Sequence, residues 1–294
     1  MTLANAIAQA FAAACRDELD APKPGNVHIF APGHGMTAAQ FAASADAASG
    51  PLCVPHRRVD ERIAGAVEAT LAAVGLNTNL GIILLCAPLA AAAELEAPVF
   101  RDAVAGVLDD LDIGDADRAF AAIARAAPAG LGRAGRHDVH APATVTLKRA
   151  MAEAADRDRV ARQYATVFAD VFDLGLPRHD AALARWGDPK WATLAVYIGF
   201  LATLADSHVV RKHGAAAAGD VRRTAEKFDA ALRSAADPAR LLPDLLAWDA
   251  ALKANNLNPG TSADLTVATL FVRRLGCRIG QRSGVILPSA RNRG

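Results

Sequence analysis

The sequence predicts an all-α protein, a single compact multi-helix domain over residues 1–294 with a buried central helix bundle. Three observations favour this fold class. Hydrophobic residues make up 52% of the chain and aromatic residues only 5%, with alanine dominating the apolar class. Alanine is the best helix former and a poor strand former. No segment longer than a few residues alternates with the period of a strand, and no polar linker or repeat divides the chain.

In the first half of the chain, the sequence predicts six helices separated by breaks rich in glycine and proline. The sequence Pro-Lys-Pro-Gly at 22–25 should end the first helix, Thr37 should cap the second, and Gly50-Pro51 should end it. The run 80–93 is almost wholly apolar but too short to span a bilayer, so we expect a central buried helix there. The predicted helices cover residues 2–19, 38–48, 59–74, 82–93, 98–111 and 115–126.

The second half begins with a break rich in glycine and charge, residues 128–140, which we expect to be a surface loop. Pro142 should start the next helix, because proline is favoured at the first helical position. Asp237-Pro238 predicts a turn between two antiparallel helices. The predicted helices lie at residues 142–151, 156–173, 179–186, 191–205, 220–235, 239–254 and 262–276.

Charge and cysteine content exclude several classes of protein. The formal net charge of +1 argues against a protein that coats nucleic acid. The four cysteines form no Cys-x-x-Cys pair, so we expect neither a zinc site nor a disulfide framework but a cytoplasmic protein. The first helix carries Arg16, Asp17 and Glu18 and is not a signal peptide. We expect no membrane partner, and alanine-rich helices could support a homodimer.

Four loop-to-helix junctions form the candidate functional site. A helix N-terminus presents free N–H groups and the positive end of a dipole, so such a junction can hold a phosphate or a hydrated metal ion. If the junctions converge, their buried polar groups become partners for each other or for a ligand. The junctions are residues 23–28, 77–81, 206–214 and 258–264.

The residue types in these junctions suit a polyphosphate and magnesium. Lys23, Arg211 and Lys212 are expected to bind phosphate. Asp206 and Asp264, aided by Asn79, are the predicted magnesium ligands, because magnesium prefers oxygen donors and keeps several waters. The other residues predicted to bind phosphate or nucleotide are Gly25, Asn26, His28, Asn77, Thr78, Asn79, His208, Asn258, Gly260, Thr261 and Ser262.

Two alternatives belong to other functional classes. The dipeptides His137-Asp138 and His179-Asp180 indicate a metal-dependent phosphohydrolase, which also needs an earlier histidine and a later aspartate on facing helices. Two adjacent-residue matches arise easily by chance in a chain of this length. The second alternative is a non-catalytic helical module that binds a nucleotide and tolerates the loss of Asp206 and Asp264.

The four junctions, taken in order, resemble the triphosphoribosyl-dephospho-CoA synthase family. They read Lys-Pro-Gly-Asn-Val at 23–27, Asn-Thr-Asn-Leu-Gly at 77–81, Asp-Ser-His…Arg…Gly at 206–214 and Asn-Pro-Gly-Thr-Ser-Ala-Asp-Leu at 258–265. The family stretches look like Lys-Pro-Gly, Asn-Thr-His-Lys-Gly, Asp-Thr-Asn…Arg…Gly and Asn-Pro-Gly-Gly-Ser-Ala-Asp-Leu. Any single motif is weak, whereas four in the right order are strong, and the likeness covers about residues 15 to 275.

The resemblance implies a transferase of coenzyme biosynthesis. Family members take ATP, displace adenine from C1 of its ribose and attach the triphosphoribosyl unit to a hydroxyl of dephospho-CoA. Such chemistry needs negative charge near the ribose and a base for the hydroxyl, so Asp206 and Asp264 are the implied catalytic residues, one as base and one on magnesium. The roles of the two stay open. At Asn79 and Leu80 the family has histidine and lysine, so a ribosyl-phosphate transferase of tetrahydromethanopterin-type cofactor biosynthesis is the alternative.

Overall fold

The computed structural model describes residues 2–95, 97–128 and 130–283, with side chains described as far as residue 276. Within these ranges the chain forms thirteen α-helices, a π-helical segment and a 3₁₀ turn, and it contains no β-strand, only two isolated bridges. The all-α, single-domain prediction is therefore confirmed. The extension of this domain over all of residues 1–294 stays a prediction.

The first half of the chain forms the six predicted helices. They are α1 (Leu3–Asp20), α2 (Ala38–Leu52), α3 (Val59–Val74), α4 (Leu80–Ala92), α5 (Phe100–Asp109) and α6 (Ile113–Ala126). The bounds of α3 are those that the sequence predicts. The predicted break at Gly50-Pro51 is wrong, because both residues lie in the last turn of α2. There Pro51 packs against Gly65 of α3, where a Cβ atom would lie 3.1 Å from the Cβ of the proline.

The second half forms seven helices: α7 (Leu147–Ala154), α8 (Arg159–Thr166), α9 (Leu176–Trp186), α10 (Pro189–Thr203), α11 (Ser207–Ser234), α12 (Leu242–Ala254) and α13 (Gly260–Ser283). A π-helical segment, Asp170–Gly175, precedes α9, and a 3₁₀ turn, Pro238–Leu241, precedes α12. The predicted start at Pro142 is wrong: α7 begins after Thr146, whose hydroxyl accepts a hydrogen bond from the Arg149 N–H at 3.3 Å. A side chain that caps free N–H groups decides a helix start more strongly than a favourable proline.

The buried central helix is α4, as predicted. All its residues except Gly81 and Ala91 are buried. It packs against α3, α5 and α13, and α13 also packs against α1 and α10. A second apolar cluster around Trp191 and Tyr197 joins α10, α11 and α12. Because α13 touches both parts of the molecule, it fixes the ends of the other helices relative to one another.

Two further properties concern the described part of the chain. None of its helices alone is long and apolar enough to cross a bilayer; one bent pair, Pro189–Thr203 with Ser207–Ser234, reaches that length and composition only in combination. Cys15, Cys53 and Cys86 are buried free thiols. The side chain of Cys277 lies outside the described residues.

Candidate functional site

A cavity of about 1090 Å³ lies where the four polar junctions meet. Each junction contributes at least one side chain to its wall, so residues far apart in the sequence surround one space. The predicted site residues that line this cavity are Asn26, Asn77, Thr78, His208, Arg211, Lys212, Asn258, Gly260, Thr261 and Asp264. The remaining predicted site residues are buried and do not line the cavity: Lys23, Gly25, His28, Asn79, Asp206 and Ser262. All of them except Asn79 make hydrogen bonds or ion pairs that join segments of the wall.

The first and fourth junctions are joined directly. Gly25 has a φ of 81°, and its N–H donates to Asp249 Oδ1 at 2.8 Å. A Cβ atom here would lie 2.8 Å from Cδ of Pro259, so only glycine allows the two loops to approach this closely. Next to it, Asn26 Nδ2 donates to Asn258 Oδ1 at 2.9 Å. These contacts place two asparagines side by side at the cavity wall.

Lys23 lies in the wall and not on the cavity surface. Its ammonium group donates to the carboxylate of Glu18, to Asn26 Oδ1 at 3.0 Å and to the Val27 carbonyl at 2.9 Å. A lysine has three N–H donors, and these acceptors use all of them. The predicted contact of Lys23 with phosphate is therefore not available in this arrangement. Lys23 instead supplies positive charge beside a buried carboxylate.

His28 is also turned away from the cavity. Its Nε2 lies 3.3 Å from Asp249 Oδ2, and Lys253 Nζ donates to the same carboxylate oxygen at 2.8 Å. Burial is the largest influence on His28 and lowers its pKa. In this arrangement His28 ties the first junction to α12, and its predicted role in phosphate binding stays a prediction.

Asp206 caps α11 and links it to α13. Its Oδ1 accepts hydrogen bonds from the N–H groups of His208 at 2.9 Å and Val209 at 3.1 Å. Its Oδ2 accepts from both the N–H and the hydroxyl of Ser262, each at 2.8 Å. Burial raises the pKa of Asp206, and these four hydrogen bonds lower it. Each oxygen of Asp206 therefore accepts two hydrogen bonds from the protein, and the residue does not line the cavity.

Asp264, in contrast, lines the cavity. It belongs to the first turns of α13, and its carboxylate lies directly against Gly81 near the start of α4. A Cβ atom at position 81 would overlap Oδ2 of Asp264, so this close approach requires glycine. Burial raises the pKa of Asp264 well above its usual value, and the nearby carboxylates of Asp206 and Glu18 raise it further. A carboxylate in such surroundings has a high affinity for a proton.

Glu18 is a cavity residue that the sequence analysis did not select. It lies near the end of α1, lines the cavity and is buried. Burial raises its pKa, whereas the ammonium group of Lys23 lowers it. The signal available in the sequence was an acidic residue close before the Lys-Pro-Gly loop, at helical spacing from the apolar residues Phe11, Ala14 and Cys15. Glu18 and Asp264 together make this part of the cavity acidic.

Cationic and imidazole groups from the third junction line another part of the wall. Arg211 and Lys212 both border the cavity, and Arg211 Nη1 lies 3.3 Å from Asp158 Oδ2 of the loop before α8. Burial, Lys212 and Arg211, in that order, lower the pKa of His208 to about 3, so its imidazole is neutral at physiological pH. A Cβ atom on Gly260 would lie 2.5 Å from His208 Nδ1, which explains the glycine at the start of α13.

The glycine-rich segment 131–139 is a largely exposed loop, as predicted, and it also lines the cavity. Asp138 organises this segment by accepting hydrogen bonds from the N–H groups of Ala134 at 2.7 Å and His140 at 2.8 Å. Such local side chain to backbone bonds fold a polar loop without a hydrophobic core of its own. The apolar side chains beside it in the lining are Phe120, Ile123, Met151, Ile82 and Leu84.

The donor set fits a magnesium ion in part. The two polar atoms of the Asn79 side chain are buried without hydrogen-bond partners at the start of α4, beside the glycine that Asp264 touches. An unpaired buried oxygen of this kind is available to a cation. Asp206 does not fit as a ligand, because both its oxygens accept hydrogen bonds.

The phosphohydrolase alternative requires a cluster of metal ligands, and the described part of the chain contains none. Among those residues, no three His, Cys, Asp or Glu side chains are placed to hold a metal ion together. His137 borders the cavity, but His179 lies on α9 with its Nδ1 3.5 Å from Asp180, which forms an ion pair with Arg273. The two His-Asp dipeptides therefore do not assemble the site that this class requires.

Comparisons with known proteins find a solved structure with a similar fold and a family model that matches nearly the whole chain. A solved structure from Archaeoglobus fulgidus, whose assignment as a triphosphoribosyl-dephospho-CoA synthase is provisional, has a similar fold with a TM-score of 0.58. It is 21% identical in sequence, and the match covers 80% of this chain and 96% of that one. A comparison with curated proteins found no match. The family model described as ATP:dephospho-CoA triphosphoribosyl transferase (CitG) matches residues 4–283. The chain therefore belongs to the ATP:dephospho-CoA triphosphoribosyl transferase family, a family of ribosyl transferases.

Proposed function

We propose that this protein transfers the triphosphoribosyl unit of ATP to a hydroxyl of dephospho-CoA and releases adenine. The observation that carries the proposal is one cavity that combines two carboxylates, Glu18 and Asp264, with the cations Arg211 and Lys212. Family membership supplies the reaction, and the cavity offers groups of both kinds that this reaction needs. No observation on this chain favours the pterin-type acceptor over dephospho-CoA.

The carboxylates suit the bond changes at the ribose. The C1–N bond of ATP breaks and its electron pair leaves with adenine, while the acceptor hydroxyl forms a new C–O bond to C1. The hydroxyl loses a proton, and adenine gains one, so atoms and charge balance. We assign the base to Asp264, because it lines the cavity while Asp206 does not, and because burial makes its ionised form a stronger base. The negative charge of Glu18 would stabilise the positive charge that develops on the ribose.

The cations and polar side chains suit the triphosphate. Arg211 and Lys212 would bind phosphate oxygens, with Asn258 and Thr261 as further hydrogen-bond donors in the lining. Magnesium would bind phosphate oxygens and waters and neutralise part of the triphosphate charge. Asn79 is buried next to the lining residues Thr78 and Leu80, and its unpaired side chain would support the ion from within the wall. Asp206 and Lys23 act in this proposal as positioning residues, since each is fully engaged in the wall.

An assay for free adenine tests this function. The protein is incubated with ATP and magnesium, with dephospho-CoA or a tetrahydropterin bearing a free hydroxyl as acceptor. Adenine released only with dephospho-CoA supports the proposal, and release only with the pterin would transfer support to the alternative acceptor. Inorganic phosphate without adenine would indicate a hydrolase. Binding of ATP without any product would indicate the non-catalytic module.

We also infer a cytoplasmic location, supported by the free buried thiols of Cys15, Cys53 and Cys86, which suit a reducing compartment. A homodimer stays a prediction. Analytical ultracentrifugation of the full chain at several concentrations tests it, and a single species with the mass of one chain would contradict it.

A further inference from the structure

The segment 131–139 forms, with α6 and α7, a second part of the cavity wall whose chemistry differs from that of the four junctions. We propose that this part is the acceptor subsite, and that it takes a nucleoside diphosphate carrying a long arm whose methylene and methyl groups contact its apolar side chains. The inference rests on the proposed function and deepens it, because it assigns separate regions of one cavity to the two substrates.

The segment connects the two regions. Gly130 directly precedes the segment, and a Cβ atom there would lie 3.3 Å from Cγ of Arg211. The segment therefore begins beside the cations of the third junction. At its other end, His137 Nε2 lies 3.3 Å from Glu153 Oε1 of α7. The segment therefore crosses from the proposed donor region to α7, and its middle borders the cavity along the way.

Apolar side chains dominate the lining on this side. Phe120 and Ile123 of α6 and Met151 of α7 are almost fully buried yet border the cavity, and Leu131 of the segment is 37% exposed. A surface of this kind favours an apolar ligand group over phosphate or sugar. At about 1090 Å³ the cavity lies at the upper end of the roughly 300–1,000 Å³ typical of small-molecule sites, so it has room for a large ligand.

Two arginines provide charge at the edge of the same region. Arg133 and Arg136 border the cavity, and their side chains are 76% and 74% exposed. Arg136 Nη2 lies 3.3 Å from Glu153 Oε1, and Arg149 Nε lies 3.6 Å from the same oxygen. Arg136 can therefore turn to a phosphate while Arg149 keeps Glu153 paired. The other contact, of Arg133 Nη1 with Asp138 Oδ1 at 3.5 Å, is long and exposed.

Arg149 offers a matched control for Arg136, because both approach one carboxylate oxygen but only Arg136 borders the cavity. Isothermal titration calorimetry with dephospho-CoA, which needs no turnover, measures binding to the wild type and to the variants Arg136→Ala and Arg149→Ala. We expect Arg136→Ala to weaken binding about tenfold, the range of one charge-assisted hydrogen bond, and Arg149→Ala to change it less than twofold. Binding of ATP should stay within twofold in both.

The apolar arm is tested separately with Leu131→Ser and two ligands, dephospho-CoA and ADP, which lacks the arm. We expect weaker binding of dephospho-CoA and unchanged binding of ADP. Equal effects on both ligands, or an effect of Arg136→Ala on ATP alone, would overturn the subsite. A wild type that binds dephospho-CoA in this way but releases no adenine would leave the subsite standing and refute the proposed transfer.

Discussion

Asp206 and Asp264 stand near the N-terminal ends of two helices, and their carboxylates differ in what they touch. Asp206 accepts four hydrogen bonds, two from its own helix and two from Ser262. Asp264 lies against Gly81 and borders the cavity. The contrast separates a residue that builds the site from one that is available to a substrate, and it predicts opposite results for the same substitution.

Asp264→Asn should keep the fold and lower turnover at least about a hundredfold, the usual contribution of a general base. Burial raises the pKa of this carboxyl in the folded state above its value in the unfolded state. The protonated carboxyl therefore stabilises the fold fully below the unfolded-state pKa, and this stabilisation is lost as pH rises through the folded-state pKa. The variant should therefore be as stable as the wild type or more so at neutral pH, with a difference that grows as pH rises. Adenine release and urea denaturation at two pH values measure both effects; wild-type turnover in the variant would refute the assignment.

Asp206→Asn should instead destabilise the protein. An asparagine either loses a cap or turns its NH₂ group toward the N–H and hydroxyl of Ser262, and a buried unpaired donor costs about 1–3 kcal/mol. Asp188→Asn is the control, since Asp188 caps α10 through the Lys190 N–H at 2.9 Å and asparagine caps equally well. Urea denaturation of both variants checks this, and equal stability of the two would show that the link to α13 is unimportant.

The sequence could not distinguish these two aspartates. Each stands in a polar junction that adjoins an apolar helix, and the sequence analysis assigned both the same pair of roles, base or magnesium ligand. Their roles depend on contacts between distant segments, namely Asp206 with Ser262 and Asp264 with Gly81. Glu18 was missed for the same reason, because only packing brings it to the cavity beside Lys23.

At the scale of elements, α11 shows how a bend presents the cations. The sequence analysis expected a loop over residues 206–214, and this is wrong: the chain is helical from Ser207. Gly214, at φ 84° and ψ 170°, interrupts the helix directly after Arg211 and Lys212. The break in the helix therefore lies at the end of a short helical stretch capped by Asp206.

Gly214→Ala should destabilise the protein by about 1–3 kcal/mol, because this backbone conformation is almost exclusive to glycine. It should also raise the KM for ATP, since Arg211 and Lys212 precede the bend. Gly219→Ala is the matched control in the same helix, where the nearest atom to a new Cβ is Arg223 Nη1 at 3.4 Å. That change should stabilise by up to about 1 kcal/mol. Thermal unfolding and steady-state kinetics measure both, and similar results for the two variants would contradict a role for the bend.

The sequence predicted where helices occur more accurately than where they begin and end. Apolar periodicity and alanine content located α3 to the residue, because they are local signals. The start of α7 and the path of residues 131–139 depended instead on hydrogen bonds of Thr146 and Asp138 with nearby backbone groups. The sequence predicted the surface loop at 131–139 but not its place in the cavity wall, because that place depends on packing against distant segments.

At the scale of the whole molecule, four junctions spread from residue 23 to residue 264 surround one cavity. The sequence could suggest this convergence because each junction combines unsatisfied polar groups with an apolar helix that must be buried. It could not say which residues face the cavity and which support it. That division follows from α13, which packs against α1, α4 and α10 and so brings their ends together.

The most direct test of the account is the fate of ATP that carries an isotopic label in its ribose. With magnesium and dephospho-CoA, mass spectrometry should find one adenine released for each labelled triphosphoribosyl group attached to the acceptor, and neither product with Asp264→Asn. Labelled ADP or free phosphate in place of adenine, or full product formation by that variant, would contradict the proposal that this cavity transfers the ribose of ATP.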